Sequence, residues 1–247
     1  SEEAWPATLH ILDYMQDLRL RPNAYSFSTA IRACAESGSW EVALAHLDLA
    51  DDLSVVDGMT RNAAITVCER AARWEEALLL LMWRKGPRLD VVAFNAAISA
   101  CEKGSQWERA SLLLDYMEGM NMSPTAVTFG ALISACEKAR KWERAMLYLT
   151  DAISRSDLRD CICFNAAATA CAKASEWSTA LCLLFEEAGK CNVELDFTSY
   201  VVAVTACTAA QNTQQAIDLC RSLPPEMAAS THMLNSVLAS YKASCEW

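Results

Sequence analysis

The chain has 247 residues, 53% of them hydrophobic, with only seven Gly and six Pro. That composition excludes a disordered chain, and scarce Gly and Pro among many helix formers favour an all-helical fold. A formal net charge of −10 opposes the phosphate neutralisation on which non-specific nucleic-acid affinity rests, and no apolar run reaches the ~18 residues needed for a bilayer-spanning helix.

Internal repetition organises the rest. Six of the twelve cysteines (Cys34, Cys68, Cys101, Cys136, Cys171, Cys207) recur at intervals of 34, 33, 35, 35 and 36 residues. A residue that returns once per unit occupies one structural position, and free cysteine behaves as a small buried hydrophobe. These six are therefore read as reduced core thiols. Six residues after each comes Trp40, Trp74, Trp107, Trp142 and Trp177, with Thr213 in the last copy. Nine residues after each comes Ala43, Ala77, Ala110, Ala145, Ala180 and Ala216. Seven residues before each stand Phe27, Arg61, Phe94, Phe129, Phe164 and Tyr200, so one copy carries Arg where the others are aromatic.

In chain order, residues 1–23 match only the second half of a unit, with Asp13, Tyr14 and Met15 aligning to Asp115, Tyr116 and Met117. Full units follow at 24–57, 58–90, 91–125, 126–160, 161–196 and 197–230, and residues 231–247 read as a first half without its partner. Each unit divides into two helices. In the third, the segment 93–103 puts Phe94, Ala97, Ile98 and Cys101 on one face, and 107–117 does the same with Trp107, Ala110, Leu113, Leu114 and Met117, the period of an amphipathic helix. Short polar stretches at 104–106, 37–39 and 174–176 supply tight turns, and Pro22, Pro87 or Pro124 stops the second helix. One hairpin cannot bury both of its apolar faces, so neighbours must stack, which predicts an all-α superhelical solenoid. Both ends interrupt a unit without a polar cap, so the chain is expected to be a segment of a longer protein or to have its ends covered.

The recurring aromatic, the following Asn or small residue, the apolar pair and the A-C-E-K run, as in FNAAISACEK from Phe94, resemble the pentatricopeptide repeat family. The Trp that opens each second helix resembles a variant of that family found in algae. The resemblance implies a right-handed superhelix whose first helices line a groove for single-stranded RNA, with one base read per repeat. The reading positions are the residue after the aromatic and the last residue of the unit. Carried over, these pair Ser28 with Asp57, Asn62 with Asp90, Asn95 with Thr125, Gly130 with Asp160, Asn165 with Asp196 and Val201 with Ser230; Asn23 and Asn235 come from the half repeats. The family's preferences imply uracil for Asn with Asp, guanine for Ser with Asp and a pyrimidine for Asn with Thr, hence G-U-pyrimidine-(G)-U with a last base unread. Met59, Val92, Val127 and Ile162 fall where the family sandwiches the base, and Arg70, Lys103, Lys138 and Lys173 fall where it faces the phosphates. Glu36 and Ala209 take that place in outer units, so the row is short.

Other readings stand beside these. An Asn near a helix start is often a cap, and a cation in a last turn complements the helix dipole. Much of the acid (Glu41, Glu75, Glu76, Glu108, Glu143) falls on second helices, so a locally positive groove remains compatible with the net charge. The alternative function is a non-catalytic scaffold, holding protein subunits of a larger organellar assembly. No phosphate loop, zinc-protease or nucleophile-elbow motif occurs. The lone Cys161-x-Cys163 and the separated His10, His46 and His232 do not assemble four metal ligands. No enzyme activity, metal, cofactor or small-molecule substrate is therefore expected. Family resemblance implies a plastid or mitochondrion, although the acidic residues 1–6 do not resemble a transit peptide.

Overall fold

In the computed structural model, residues 10–12, 14–15, 18–83, 90–155 and 161–222 are described, and among them there is no strand. The helices are α1 (Ala24–Ser37), α2 (Trp40–Asp52), α3 (Gly58–Arg70), α4 (Trp74–Leu81), α5 (Val91–Lys103), α6 (Trp107–Gly119), α7 (Ala126–Lys138), α8 (Trp142–Arg155), α9 (Cys161–Lys173), α10 (Trp177–Cys182), α11 (Phe197–Ala209) and α12 (Thr213–Ser222). After Cys182, α10 runs on through a π-helical turn, Leu183–Glu187, into Ala188–Lys190. Odd-numbered helices are the first of each hairpin and even-numbered ones the second.

The chain divides into two compact units, Ser1–Pro124 and Thr125–Trp247. In the first, α1 packs on α3 and α3 on α5, and each also packs on its hairpin partner. In the second, α7 packs on α9 and α9 on α11, with α8, α10 and α12 as partners. Each unit is a stack of helical hairpins, the repeat architecture that the cysteine register predicts.

Local signals set the helix boundaries. Asn23, Asp57, Asp90, Thr125 and Asp196 each precede a first helix in extended conformation, and each side chain accepts the backbone N–H three residues on. Such caps satisfy an orphan donor and contribute about 1 kcal/mol each. First helices end on a left-handed residue four after the cysteine: Gly38, Ala72, Ser105, Arg140, Ser175 and Gln211. The next N–H then returns to the cysteine carbonyl, as from Gln106 to Cys101 at 2.8 Å and from Glu176 to Cys171 at 2.9 Å. This closes the helix as a Schellman motif. The same device ends second helices at Ser54, Asn121 and Asn192. Between Trp177 and Asn192 lies one residue more than between Trp107 and Asn121. The π turn absorbs it without shifting the cap, as a one-residue insertion in a helix does.

The repeated apolar positions form the core. Phe27, Phe94, Phe129 and Phe164 are fully buried, as are the six alanines nine residues after each cysteine. Burying a Phe side chain stabilises by about 2–3 kcal/mol. The register cysteines are buried too, and all eleven described cysteines are free. The tryptophans are only half-buried. Two of the indoles carry the next repeat's arginine: Arg73 lies 4.3 Å from the Trp40 ring centre and Arg109 lies 4.5 Å from that of Trp74. Each such contact stabilises by about 0.5–1 kcal/mol at a surface.

Arg61 departs from the aromatic pattern for a structural reason. Its guanidinium is buried, and it donates from Nε and Nη2 to the carbonyls of Leu80, Leu81 and Trp83 at 2.6–3.1 Å. Those are carbonyls at the end of α4, which stops at Leu81, whereas α6 runs to Gly119. The arginine supplies the C-terminal cap that a longer helix obtains from its own backbone.

Candidate functional site

In the first unit, first helices border an open groove of about 850 Å³ along one side of the stack. Its lining includes Arg32, Met59, Asn62, Arg70, Asp90 and Val92. One reading pair, two base-sandwich residues and one phosphate-row residue predicted from sequence are thus brought to one place.

The reading pair is a physical unit. Asn62 sits at the fifth position of α3, too far along to cap it, and its Nδ2 donates to Asp90 Oδ2 at 2.8 Å. Asp90 uses its other oxygen to cap α5, accepting from the Ala93 N–H at 2.9 Å. The second unit repeats the arrangement. Asn165 Nδ2 donates to Asp196 Oδ1 at 3.1 Å, and the same oxygen accepts the N–H and hydroxyl of Ser199, each at 2.8 Å. Burial pushes the Asp196 carboxyl up, but the hydrogen bonds from Ser199, Asn165 and Thr198 outweigh it and hold the group below the usual aspartate range. A carboxylate only accepts, so each Asn must turn its NH₂ toward the Asp. The amide orientation is thereby fixed, with Oδ1 left to accept from a ligand. Asn165 is 7% exposed, and its Oδ1 is buried with no hydrogen-bond partner. A buried unpaired carbonyl of this kind costs about 1–3 kcal/mol until a donor arrives.

Aliphatic side chains flank these pairs. Met59, Val92, Val127 and Ile162 are 53, 59, 64 and 64% exposed, at one equivalent position in four successive units. Tyr25, 71% exposed, occupies the same position in the unit before them. It was missed because an aromatic there breaks the aliphatic pattern, although it too lies three residues before a reading position.

The remaining predicted residues are placed as follows. Asp57 caps α3, accepting from the Thr60 N–H at 2.8 Å and its hydroxyl at 2.7 Å. Asn23 caps α1 through Ser26, and Thr125 caps α7 in a capping box with Thr128. Asn95 is half-buried at the fifth position of α5. Ser28 is fully buried, its hydroxyl donating to the Tyr25 carbonyl at 3.0 Å. Asp160, Asn235 and Ser230 lie outside the described residues, as do Pro87, His232 and both half-repeat ends, 1–9 and 231–247.

The cation row has a role that neither sequence reading foresaw. Lys103 Nζ lies 2.9 Å from Glu69 Oε1, and Lys173 Nζ lies 2.7 Å from Glu137 Oε1. Each lysine pairs with the glutamate of the preceding repeat, while Arg70, Lys103, Lys138 and Lys173 all stay in last turns, where the dipole favours them. Arg70 forms no ion pair among the described residues and lines the groove together with Arg32, a second cation. Arg32 lies one turn beyond Ser28, where the other units carry Thr or Ser (Thr66, Ser99, Ser134, Thr169, Thr205). Only comparison at that offset could have singled it out.

Stacked hairpins, with an Asn–Asp pair on the first helices of each unit, define a helical-repeat protein. Residues 89–138 match the model of the PPR repeat family, and residues 127–155 match that of the PPR repeat. Residues 89–155 of the chain are thus pentatricopeptide repeats. The chain is similar to the crystal structure of the pentatricopeptide repeat protein PPR10 from maize, with a TM-score of 0.70 and 19% identity over 97% of this chain and 36% of that one. The structure of PPR10 in complex with an 18-nt psaJ RNA element matches with a TM-score of 0.54 and 20% identity, over 98% of this chain and 39% of that one. The chain thus spans well under half the length of these solved structures. Comparison with curated proteins gives no significant match.

Proposed function

We propose that the chain binds single-stranded RNA along the wall of first helices, one base per repeat, with uracil accepted at Asn62–Asp90 and at Asn165–Asp196. The observation that carries this reading is the repeated grouping of an oriented Asn–Asp pair with an exposed aliphatic residue. A pyrimidine inserted beside Met59 and Val92 covers apolar surface, at about 25 cal/mol per Å², and its ring N–H reaches the fixed amide oxygen. PPR10, which shares this fold, is crystallised with RNA, and that supports the assignment. Lys103 and Lys173 are engaged with glutamates, so phosphate contact falls mainly to Arg32 and Arg70 in this groove. The same reading puts the protein in a plastid or mitochondrion, an expectation of the family resemblance that imaging of the tagged full-length protein tests.

The test is fluorescence anisotropy with a labelled single-stranded oligouridine. Asn62→Ala with Asn165→Ala should weaken binding by about tenfold or more, since each lost hydrogen bond to a base costs about 1 kcal/mol. The salt slope should be shallow, about −0.7 for each phosphate neutralised. Equal affinity for the wild type and the double variant would remove the proposal.

A further inference from the structure

The second helices of the first unit carry a face that the groove does not use. Along α2 the outward residues are Glu41, Ala45, Asp48 and Asp52; along α4 they are Glu75, Leu79 and Met82; along α6 they are Glu108, Leu112 and Asp115. All are exposed, with Leu79 at 71%, Leu112 at 66% and Met82 at 60%. Ala45, Leu79 and Leu112 occupy one equivalent position, five residues after Trp40, Trp74 and Trp107. The contact of Arg109 with Trp74, and of Arg73 with Trp40, joins successive hairpins at the start of these helices. An aliphatic row bordered by acid therefore runs along the outside of the unit.

The charge on this face is one-sided. The three helices carry nine carboxylates (four on α2, two on α4, three on α6) against one base, Arg109. Glu41, Glu75, Glu76 and Glu108 stand in first turns, where the helix dipole favours an acid. Asp51 and Asp52 end α2, where the dipole opposes them, and none of the three helices has a base in its last turn. Among the described residues, Asp48, Asp51, Asp52, Glu108 and Asp115 form no ion pair with a base. The corresponding helix of the second unit, α8, behaves differently: its Asp151 pairs with Arg155 at 2.6 Å, in the last turn. Helix stability explains the acids of α8 and leaves those of α2 unexplained.

We infer that this outer face docks a basic amphipathic helix of a partner protein, whose aliphatic side chains cover Leu79, Met82 and Leu112 and whose Lys or Arg residues pair with Asp48, Asp51, Asp52 and Asp115. Charge selects the occupant. RNA is repelled by the carboxylates, and a second copy of a chain with net charge −10 is repelled overall. The surface is independent of the RNA groove, so one molecule holds both ligands.

The test uses the full chain and a fluorescein-labelled synthetic helix of alternating Leu and Lys stripes, titrated by anisotropy at about 50 mM and about 300 mM salt, which spans the range where screening removes surface attraction. The wild type is expected to bind, more weakly at the higher salt. Leu79→Ser with Leu112→Ser should cost about tenfold in affinity, as should Asp48→Asn with Asp51→Asn and Asp52→Asn, a loss equal to about 1.4 kcal/mol. A peptide with Glu in place of Lys should not bind, and single-stranded RNA should not compete. Absence of binding at low salt overturns the inference. So does full affinity in the leucine variant, which would mark a diffuse charge attraction, and so does displacement by RNA, which would put the peptide in the groove. All the substituted side chains are exposed, and an unchanged circular dichroism spectrum verifies folding.

Discussion

Replacing Arg61 by Ala should open the end of α4 without unfolding the rest of the stack. The side chain is 3% exposed and donates to three carbonyls, Leu80, Leu81 and Trp83. Hydrogen bonds from a charged group contribute about 1.5–3 kcal/mol each before desolvation is counted. Burial of the guanidinium pulls its pKa down, so part of the gain is offset. Removing it leaves carbonyls facing a cavity that water enters incompletely, and the net loss should be about 3 kcal/mol, within the range for breaking a buried charged contact. Arg61→Lys keeps the charge but loses the fork, and should cost about half as much. Arg61→Phe restores the residue type of the other units yet still strands the carbonyls, so it should not rescue. Hydrogen exchange is the suitable assay, because a repeat array opens locally. Amides of α4 and residues 82–83 should exchange about a hundredfold faster in the Ala variant, with α5 and α6 little changed. Unchanged exchange in α4, or full protection in Arg61→Phe, would refute the capping role.

Three further outcomes follow from the packing. A Cβ on Gly104 would overlap Trp74 Cδ1 and lie 2.9 Å from Cγ. Gly104→Ala should therefore lower the urea midpoint by an amount equivalent to about 1–2 kcal/mol, whereas a raised midpoint would show helix propensity winning. Arg140 holds φ at 55°, so Arg140→Gly should stabilise by about 1 kcal/mol in the same assay. Burial pushes the Cys68 thiol up to about 12, with Glu76 adding to the effect, and raises Cys101, Cys136 and Cys171 to about 11. Unfolded thiols ionise near pH 9 while the folded ones stay protonated, so stability should fall as pH rises from 9 toward 12. Stability that is flat across that window would contradict thiol burial.

The hairpins were legible because a packing position must recur with the repeat, and thiol, methyl and indole recur in register from Cys34 to Cys207. The groove residues were legible through the same register once the family pattern was laid on it. What sequence could not give is the partner of each group. The Asn62–Asp90 bond spans 28 residues, and the Lys103–Glu69 pair spans 34, so both depend on the stacking offset rather than on any local pattern. Arg61 looked like a break in the aromatic series because its reward, the carbonyls at the end of α4, lies 19 to 22 residues away. The π turn was hidden in an interval of 36 residues, where a longer loop would have fitted equally well.

The base preference of single variants tests the account most directly. With a panel of oligonucleotides differing in one base, the wild type should favour uracil opposite Asn62 and opposite Asn165. Changing Asn62→Ser should shift the first preference to guanine while leaving the second untouched. A variant that weakens binding to every oligonucleotide alike, with no change of preferred base, would contradict readout by these pairs.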